Sequence, residues 1–365
     1  MSSAGSDITC LTVRLHAVAE NYRLCARLAG TAAAGVVKAD AYGLGMAPVA
    51  RALAEAGCET YFVARLEEGM RLRVIAGKSR IFVLDGVRSE IADAMIAHRL
   101  TPVLNSLDDI AAWSAAAAAR ASRLDAAIHI DTGMNRLGLP PDELSVLAAE
   151  ARNRLEGLDV VLIMSHLACA EDRGARKNAE QLARFRAGLA VLPPARASLA
   201  ASGGVLLGRD YAFDMVRPGI AVYGGNPHSG LANPFQTVAR LTARVLQLRR
   251  VDKGEGVGYG ATFHTERPST LATVSLGYAD GLMRAIGNRG AGAIGGRRAP
   301  VVGRVSMDLV ILDVTDIPSA RVGTEVEFVG DTITLEEAAG AALTSSYEIL
   351  TRLGSRFPRR HVSAA

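Results

Sequence analysis

The first two-thirds of the chain alternate short apolar runs with longer stretches in which apolar residues recur at helical spacing. Strands that alternate with helices are typical of a parallel sheet covered by helices. The apolar runs predict eight strands: Gly35–Lys38, Thr60–Ala64, Arg80–Leu84, Thr101–Leu104, Leu124–Asp131, Leu158–His166, Ala197–Ser202 and Phe213–Arg217. The stretches between them predict helices, among them Ala47–Ala56, Leu66–Ala76, Leu107–Ala119, Asp142–Arg154 and Ala175–Val191.

The number and spacing of these units indicate a particular fold. About eight strand–helix units in roughly 235 residues match the size of a (β/α)8 TIM barrel. A doubly wound open sheet is the alternative. The first strand is not followed by a G-x-G-x-x-G motif, which disfavours a dinucleotide-binding fold.

The pattern changes near Asn233-Pro234, beyond which β-rich segments are separated by glycine clusters. Such clusters are typical of turns between antiparallel strands. The later strands are predicted at Ala239–Leu248, Thr270–Leu276, Arg298–Val302, Leu309–Val314 and Glu325–Val329. We therefore expect an α/β protein with two domains, a barrel over residues 1–235 and a mostly β domain over residues 236–365. The strand candidate Ile8–Arg14 precedes the barrel and fits either domain.

Composition narrows the classes of function. The 365 residues include 41 Lys+Arg and 37 Asp+Glu, a net charge of +4 without long runs of one sign. This balance argues against nucleic acid or an anionic membrane as a partner. Four scattered cysteines without a C-x-x-C pair predict neither a disulfide framework nor a zinc site. The start, Met1–Asp7, lacks the features of a secretion signal, and no run approaches the ~18 apolar residues of a membrane span. A cytoplasmic location is expected.

Lys38 is the first candidate for chemistry, because it stands where a buried strand would finish. Removing an ammonium group from water is costly, so a lysine at this point suggests that its amine has a chemical function. An amine with a lowered pKa is what Schiff-base chemistry needs. A solvated lysine at a strand end is the plainer alternative.

The carboxyl ends of the other predicted strands add polar groups. In a (β/α)8 barrel these ends meet at the face that carries the active site. The groups are Asp131–Arg136 after the fifth strand, Ser165-His166 at the sixth, Ala201–Gly204 at the seventh and Arg217–Ile220 at the eighth. The small, donor-rich ends of strands seven and eight are where barrels commonly hold a phosphate. A Schiff-base lysine and a phosphate site across one mouth together predict pyridoxal 5'-phosphate.

Seven motifs, spread in order over nearly the whole chain, resemble the alanine racemase family. They are VVKADAYGLG, DTGMNRLG, MSHLACAED, FDMVRPGIAVYG, VGYGATF, SLGYADGL and VGRVSMD. Each motif is weak alone, but their joint order is specific. The resemblance implies a barrel that binds pyridoxal phosphate, a C-terminal β domain, a head-to-tail homodimer and the interconversion of L-alanine and D-alanine.

The resemblance also assigns roles to residues of this chain. It makes Lys38 the Schiff-base lysine and Tyr278 the opposing acid/base, which the partner subunit supplies. Racemisation needs two bases because a proton removed from one face must be returned to the other. Lys38 would take the Cα proton from the D-amino acid and Tyr278 from the L-form. His166 and Arg217 resemble the relay that joins the tyrosine to the pyridine nitrogen.

Arg217 has a further chemical consequence. An arginine does not act as a proton donor in practice, so it leaves the ring nitrogen unprotonated and weakens the electron sink. A weaker sink suits an enzyme that only exchanges a proton, since it suppresses side reactions such as transamination. A simple ion pair between Arg217 and Asp214 is the plainer alternative.

Further pocket residues follow from the same resemblance. The phosphate would be held by Tyr42, Ser202 and the backbone of Gly219 and Ile220, with Tyr223 nearby. Arg136 would approach the cofactor's phenolic oxygen and the substrate carboxylate. Met307 of the other subunit would line the substrate side of the pocket.

Three positions depart from the family's pattern. His129 stands where the family often has a carbamylated lysine that braces the arginine, so a water, an anion or another side chain would orient Arg136. Ser355 replaces a tyrosine often found before the final R-x-P, and Ala201 replaces a common asparagine. None of the three falls on Lys38 or Tyr278.

Other functions remain open at this stage. A racemase of serine, lysine or another amino acid is the nearest alternative. A related decarboxylase would carry a late catalytic cysteine, whereas the last cysteine here is Cys169. A PLP-binding homeostasis protein resembles the barrel alone and lacks the roughly 130 residues that follow it here.

Overall fold

The computed structural model describes residues 8–228 and 230–363. The segment Met1–Asp7, in which the sequence shows no secretion signal, lies outside the described residues. Among the described residues, no helix is both long and apolar enough to cross a membrane.

Parallel strands form the first part of the chain into the predicted (β/α)8 barrel. Seven of them pair in chain order, and the last strand pairs with the first, at Met215 with Ala32 and Val216 with Ala33. A bridge between Ala201 and Arg217 continues the eighth strand beside the seventh. The barrel strands are Ala32–Ala33 with Gly35–Val36, Thr60–Val63, Arg80–Val83, Thr101–Leu104, Leu124–His129, Leu158–Met164, Arg196–Ser198 and Met215–Val216.

Several strands end earlier than the sequence predicted. The fifth strand ends at His129 instead of Asp131, and the seventh ends at Ser198 instead of Ser202. In the loops just beyond the strand ends, polar side chains accept hydrogen bonds from backbone N–H groups that the sheet leaves unpaired. The Asp131 side chain, for example, accepts hydrogen bonds from the backbone N–H groups of the loop that follows it. The chemistry-bearing residues therefore lie in loops just beyond the strands.

Helices cover the outside of the barrel. Their apolar faces pack on the strands, and most buried apolar side chains of both parts of the chain belong to one continuous cluster. This arrangement removes the strands from water on both faces, as expected of a parallel sheet. The helices are Leu15–Ala29, Met46–Glu55, Leu66–Ala76, Ser89–Ala97, Leu107–Ala118, Pro141–Arg154, Arg176–Val191 and Ser202–Leu207.

The remainder of the chain is built mainly of antiparallel strands. They are Ala239–Val251, Gly256–Val257, Phe263–His264, Ser269–Val274, Ala291–Ile294, Arg297–Pro300, Val310–Asp313, Glu325–Val329 and Arg359–Val362. The early strand Thr9–Arg14 joins this sheet, antiparallel to Ala239–Val251 and parallel to Arg359–Val362. Two short helices, Leu335–Ala341 and Ser346–Thr351, interrupt the strands and were not among the predicted elements.

Candidate active site

A cavity of about 540 Å³ opens at the carboxyl ends of the barrel strands. It gathers residues from seven of the eight strand ends, as well as two residues from the C-terminal part of the same chain. Seven residues that the sequence singled out line it: Lys38, Tyr42, Arg136, His166, Ser202, Arg217 and Gly219. His129, Ala201, Asp85, Tyr347 and Thr351 also line it.

Lys38 lies at the start of a turn with unusual backbone geometry. The four residues from Ala39 to Tyr42 all have φ between 52° and 58°, which makes one left-handed helical turn without glycine. Each L-residue in this conformation costs about 1–2 kcal/mol. Such strain persists only where the surroundings enforce it, and it is concentrated at functional sites.

Two carboxylates enforce this turn. Glu68 accepts hydrogen bonds from the backbone N–H of Ala39 at 2.6 Å and of Ala64 at 2.8 Å. Asp40 accepts from the N–H of Met46 at 2.8 Å, where the next helix begins. The turn is thereby tied to the elements on both sides of it, which determines where Lys38 leaves the backbone.

The predicted phosphate residues meet at the ends of strands seven and eight. The Ser202 hydroxyl accepts hydrogen bonds from the N–H groups of Gly219 at 2.9 Å and Ala221 at 3.2 Å. A β-carbon added to Gly219 would overlap the Tyr42 hydroxyl. A hydroxyl, a phenol and the backbone of Gly219 therefore converge at one wall of the cavity. Ile220 is fully buried and does not line the cavity, so only its backbone can contribute there.

Three tyrosines pack together beside this wall. The Tyr42 ring centroid lies 4.7 Å from that of Tyr223 and 5.9 Å from that of Tyr347. The Tyr223 hydroxyl donates to the carbonyl of Val36 at 2.8 Å, which makes it a brace for the first strand. Tyr347 comes from the C-terminal part of the same chain. It supplies a phenol to the cavity, whereas Ser355 is exposed and does not line it.

Arg217 is buried, with 4 % of its surface exposed. In the part of the chain that the structure describes, Nη1 donates to the carbonyl and hydroxyl of Ser198, and Nη2 to the carbonyls of Ser165 and Leu199. A guanidinium has five N–H donors, so Nε–H remains for a ligand. Asp214, the alternative ion-pair partner, accepts from the N–H of Ala197 instead.

The loop that carries His166 is held from behind by a buried amide. Gln181 donates through Nε2 to the carbonyl of His166 at 2.9 Å and to the Thr132 hydroxyl at 3.1 Å. Its Oε1 accepts from the N–H of Ala168 at 2.8 Å. Every polar atom of this buried side chain is thus paired, and its pairing fixes the position of the loop.

The cavity is electropositive. Burial, together with the nearby Arg136, lowers the pKa of Lys38. Burial and the charges of Arg217, Arg136 and Lys38 lower the pKa of His166 to about 3. At neutral pH the imidazole is therefore neutral beside two arginines, and the cavity as a whole favours an anionic ligand.

Arg136 projects from a short loop at the rim of the cavity, where it is exposed. Asp131 organises this loop by accepting the N–H groups of Gly133 and Met134 at 2.8 and 2.9 Å. The loop returns to the barrel where Leu139 donates its N–H to the carbonyl of His129.

Tyr278 and Met307 are placed differently from the other predicted residues. Neither lines the cavity that contains Lys38, and both lie on the surface of the chain, 44 % and 54 % exposed. Their loops are held together, since Tyr278 donates its N–H to Ser306 and Ala279 donates to the Met307 carbonyl. Arg356 bridges the same loops through Asp308 at 2.8 Å and Asp280 at 3.5 Å.

The sequence reading did not single out several residues that shape the site. They are Glu68, Asn105, Gln181 and Tyr347, all of which act through contacts between distant parts of the chain. Asp131, which the sequence did single out, differs from these four residues. Its role can be recognised from the sequence nearby, because an Asp-Thr-Gly sequence after a strand is typical of an Asx turn.

Both parts of the chain match known proteins. Residues 13–227 match the model of the alanine racemase N-terminal domain and residues 238–361 that of the C-terminal domain. An alanine racemase of Rhodospirillum rubrum is 48% identical over 356 residues, which cover 96% of this chain and 95% of the relative. A catabolic alanine racemase of Agrobacterium fabrum is 45% identical, with coverage of 99% and 94%.

Solved structures agree with this assignment. A crystal structure of alanine racemase from Bartonella henselae, with covalently bound pyridoxal phosphate, superposes with a TM-score of 0.93 at 40% identity. It covers 97% of this chain and 99% of that one. A biosynthetic alanine racemase from Pseudomonas aeruginosa gives 0.92 at 37% identity, with coverage of 98% and 99%. With both domain models matched and relatives aligned over nearly the full length, this chain belongs to the alanine racemase family.

Proposed function

We propose that this protein is an alanine racemase that uses pyridoxal phosphate to interconvert L-alanine and D-alanine. One observation carries the proposal: the cavity joins a partly desolvated amine, Lys38, to the converging groups of Ser202, Gly219 and Tyr42. An amine and an anion cradle within one cavity match the two ends of this cofactor.

The residues present fit the cofactor. Its phosphate would lie against Ser202, the backbone near Gly219 and the Tyr42 hydroxyl, where an added β-carbon would leave no room. Its ring nitrogen would face Arg217, whose remaining Nε–H donor is the group available there. When bound, the cofactor supplies an aldehyde that captures amines and a ring that withdraws electrons from the substrate's α-carbon.

The chain's own residues would move the protons. Lys38 Nζ would hold or release a proton on one face of the substrate, and burial lowers the pKa of Lys38, which favours its neutral form relative to a solvated lysine. Tyr278 Oη would do the same on the opposite face. Burial lowers the pKa of Arg217 to about 9, which is still above neutral pH, so the guanidinium stays charged and donates a hydrogen bond without giving up its proton.

The second base must come from another copy of the chain. Tyr278 and Met307 lie outside the cavity of their own chain and are exposed. We propose a head-to-tail homodimer in which each copy offers these two side chains to the cavity of the other. In that arrangement the barrel of residues 1–235 binds the cofactor and residues 236–365 complete the partner's site.

The substrate would be oriented at the rim of the cavity. Arg136, exposed on its Asp131-capped loop, would approach the substrate carboxylate and the phenolic oxygen of the cofactor. A guanidinium suits this contact because its paired N–H donors match a carboxylate.

The test is the loss of optical activity from L-alanine incubated with the purified protein and added pyridoxal phosphate, followed by circular dichroism. Decay to zero is expected, and the same end point should be reached from D-alanine. A flat trace from folded, cofactor-loaded protein would exclude alanine as the substrate. Serine and lysine, assayed in parallel, would then identify a racemase of a larger amino acid.

A further inference from the structure

His129 is a buried titratable side chain in the cavity to which the proposed proton transfers give no role. It ends the fifth barrel strand, has 8 % of its surface exposed and lines the same cavity as Lys38, Arg136 and Arg217. Burial and the charge of Arg217 lower its pKa to about 4. A neutral imidazole among three cations is therefore a hydrogen-bonding group whose role depends on which nitrogen carries the proton.

The hydrogen-bond partner of the His129 ring determines which ring nitrogen carries the proton. His129 Nδ1 lies 2.8 Å from Asn105 Oδ1. The Asn105 amide cannot turn around, because its Nδ2 donates to the carbonyls of Leu84 at 3.0 Å and Val103 at 2.9 Å. With Oδ1 facing the ring, Nδ1 must be the protonated nitrogen. Nε2 then carries a lone pair and is an acceptor.

The loop that carries Arg136 closes directly over this imidazole. Leu139 donates its N–H to the carbonyl of His129 at 2.8 Å. A β-carbon on Gly138 would lie 3.1 Å from Cδ2, the carbon next to Nε2. Arg136 stands two residues before this contact, and its side chain lines the same cavity as the His129 ring.

We propose that His129, locked by Asn105 as its Nδ1–H tautomer, is a positioning residue whose Nε2 accepts a hydrogen bond from Arg136. This inference rests on the proposed function, since it assigns Arg136 to the substrate carboxylate. The contact holds the exposed Arg136 guanidinium toward the cavity without placing a negative charge there.

The test combines kinetics with a direct measurement of the tautomer. His129→Leu removes the acceptor and should raise the KM for L-alanine about tenfold or more, with a smaller change in kcat. His129→Gln offers an amide N–H to Asn105 and an oxygen to Arg136, and should stay within about threefold of the wild-type KM. His98→Gln, outside the cavity, is the matched control and should change neither constant.

Side-chain ¹⁵N NMR of histidine-labelled holoenzyme reads the tautomer without reference to activity. The His129 signals, assigned by their loss in His129→Gln, should show Nδ1 protonated and Nε2 bare at neutral pH. A protonated Nε2, or an unchanged KM in a folded His129→Leu protein, would overturn the proposal. If His129→Leu does not fold, the NMR spectrum and the Gln variant still decide it. A wild-type protein that leaves alanine unchanged would instead refute the proposed function, and the NMR result would stand apart from it.

Discussion

The backbone of Gly219 lies so close to the Tyr42 hydroxyl that a side chain at position 219 has no room. At the scale of residues, close contacts between individual atoms determine the geometry of the site. Arg217 is another example, since three carbonyls and one hydroxyl at the ends of the sixth and seventh strands take four of its five donors and leave the fifth for a ligand. At this scale the site depends on close packing and complete hydrogen bonding more than on the identity of any one charged group.

Gly219→Ala should therefore weaken binding of pyridoxal phosphate. Forcing a methyl group into a filled space costs about 1–3 kcal/mol, which corresponds to a loss of roughly fivefold to a hundredfold in affinity. Fluorescence or absorbance titration of the apoprotein with the cofactor would measure it. Gly340→Ala is the control, because nothing lies within 4 Å of a β-carbon at that position.

Adding Tyr42→Phe to Gly219→Ala gives a stricter form of this prediction. Removing the hydroxyl relieves the overlap, so the double variant should lose less affinity than the product of the two single losses. Strictly multiplicative losses would show that Gly219 and Tyr42 act independently, contrary to the packing described above.

The two buried histidines of the cavity predict how stability depends on pH. Burial lowers the pKa of His129 to about 4 and that of His166 to about 3, below the value of about 6.5 expected when the chain is unfolded. Between pH 6.5 and 4 the unfolded state binds more protons, so acid favours unfolding. Each histidine should remove about 1.4 kcal/mol per pH unit over that window.

Urea unfolding at fixed protein concentration, at pH 7 and pH 5, would test this dependence. The free energy of unfolding should fall more steeply for the wild type than for His129→Gln, which has lost one titrating group. Equal slopes for the two proteins would mean that His129 is not neutral and buried as described.

At the scale of elements, the left-handed turn from Ala39 to Tyr42 is the feature that most needs support. Its four residues have backbone angles that L-amino acids avoid. Glu68 offsets that cost by accepting three backbone N–H groups, from Ala39, Ala64 and Arg65. A helix on one side of the strand end thus holds the lysine-bearing turn in place.

Glu68→Ala should consequently destabilise the protein and loosen Lys38. Losing hydrogen bonds to a charged carboxylate costs about 1.5–3 kcal/mol, which would appear as a lower thermal midpoint and weaker retention of the cofactor. Glu67→Ala is the matched control, because Glu67 lies in the same helical turn and is exposed. Equal effects of the two substitutions would show that Glu68 has no special role in the turn.

At the scale of the whole molecule, one chain does not bring the two proposed bases together. Lys38 lines the cavity, whereas Tyr278 lies on the surface. A two-fold symmetric dimer would resolve this separation, since it places the same surface of each copy against the other. Each site of the proposed dimer would then be built from two chains.

Mixing two inactive variants should therefore restore activity. Lys38→Ala lacks the amine and should neither bind the cofactor covalently nor racemise alanine. Tyr278→Phe should bind the cofactor but be impaired, most of all from L-alanine. After subunit exchange, half of the dimers carry one site with both native side chains, so activity should reach about a quarter of the wild-type value.

A different affinity tag on each variant, with purification over both tags in succession, would confirm that the mixed dimers have formed. No gain of activity in such mixed dimers would contradict a site shared between subunits. Normal racemisation of both enantiomers by Tyr278→Phe alone would remove Tyr278 from the proposed mechanism.

The sequence by itself determined the barrel and the β-rich second part, because the periodicity of apolar residues follows from the local geometry of strands and helices. It also placed Lys38, Ser202 and Arg217 at strand ends, which a barrel necessarily gathers at one face. Tertiary structure alone decided the left-handed turn, the Glu68 and Gln181 braces and the Asn105–His129 pair. These depend on contacts between residues far apart in the chain, and no local pattern encodes such contacts.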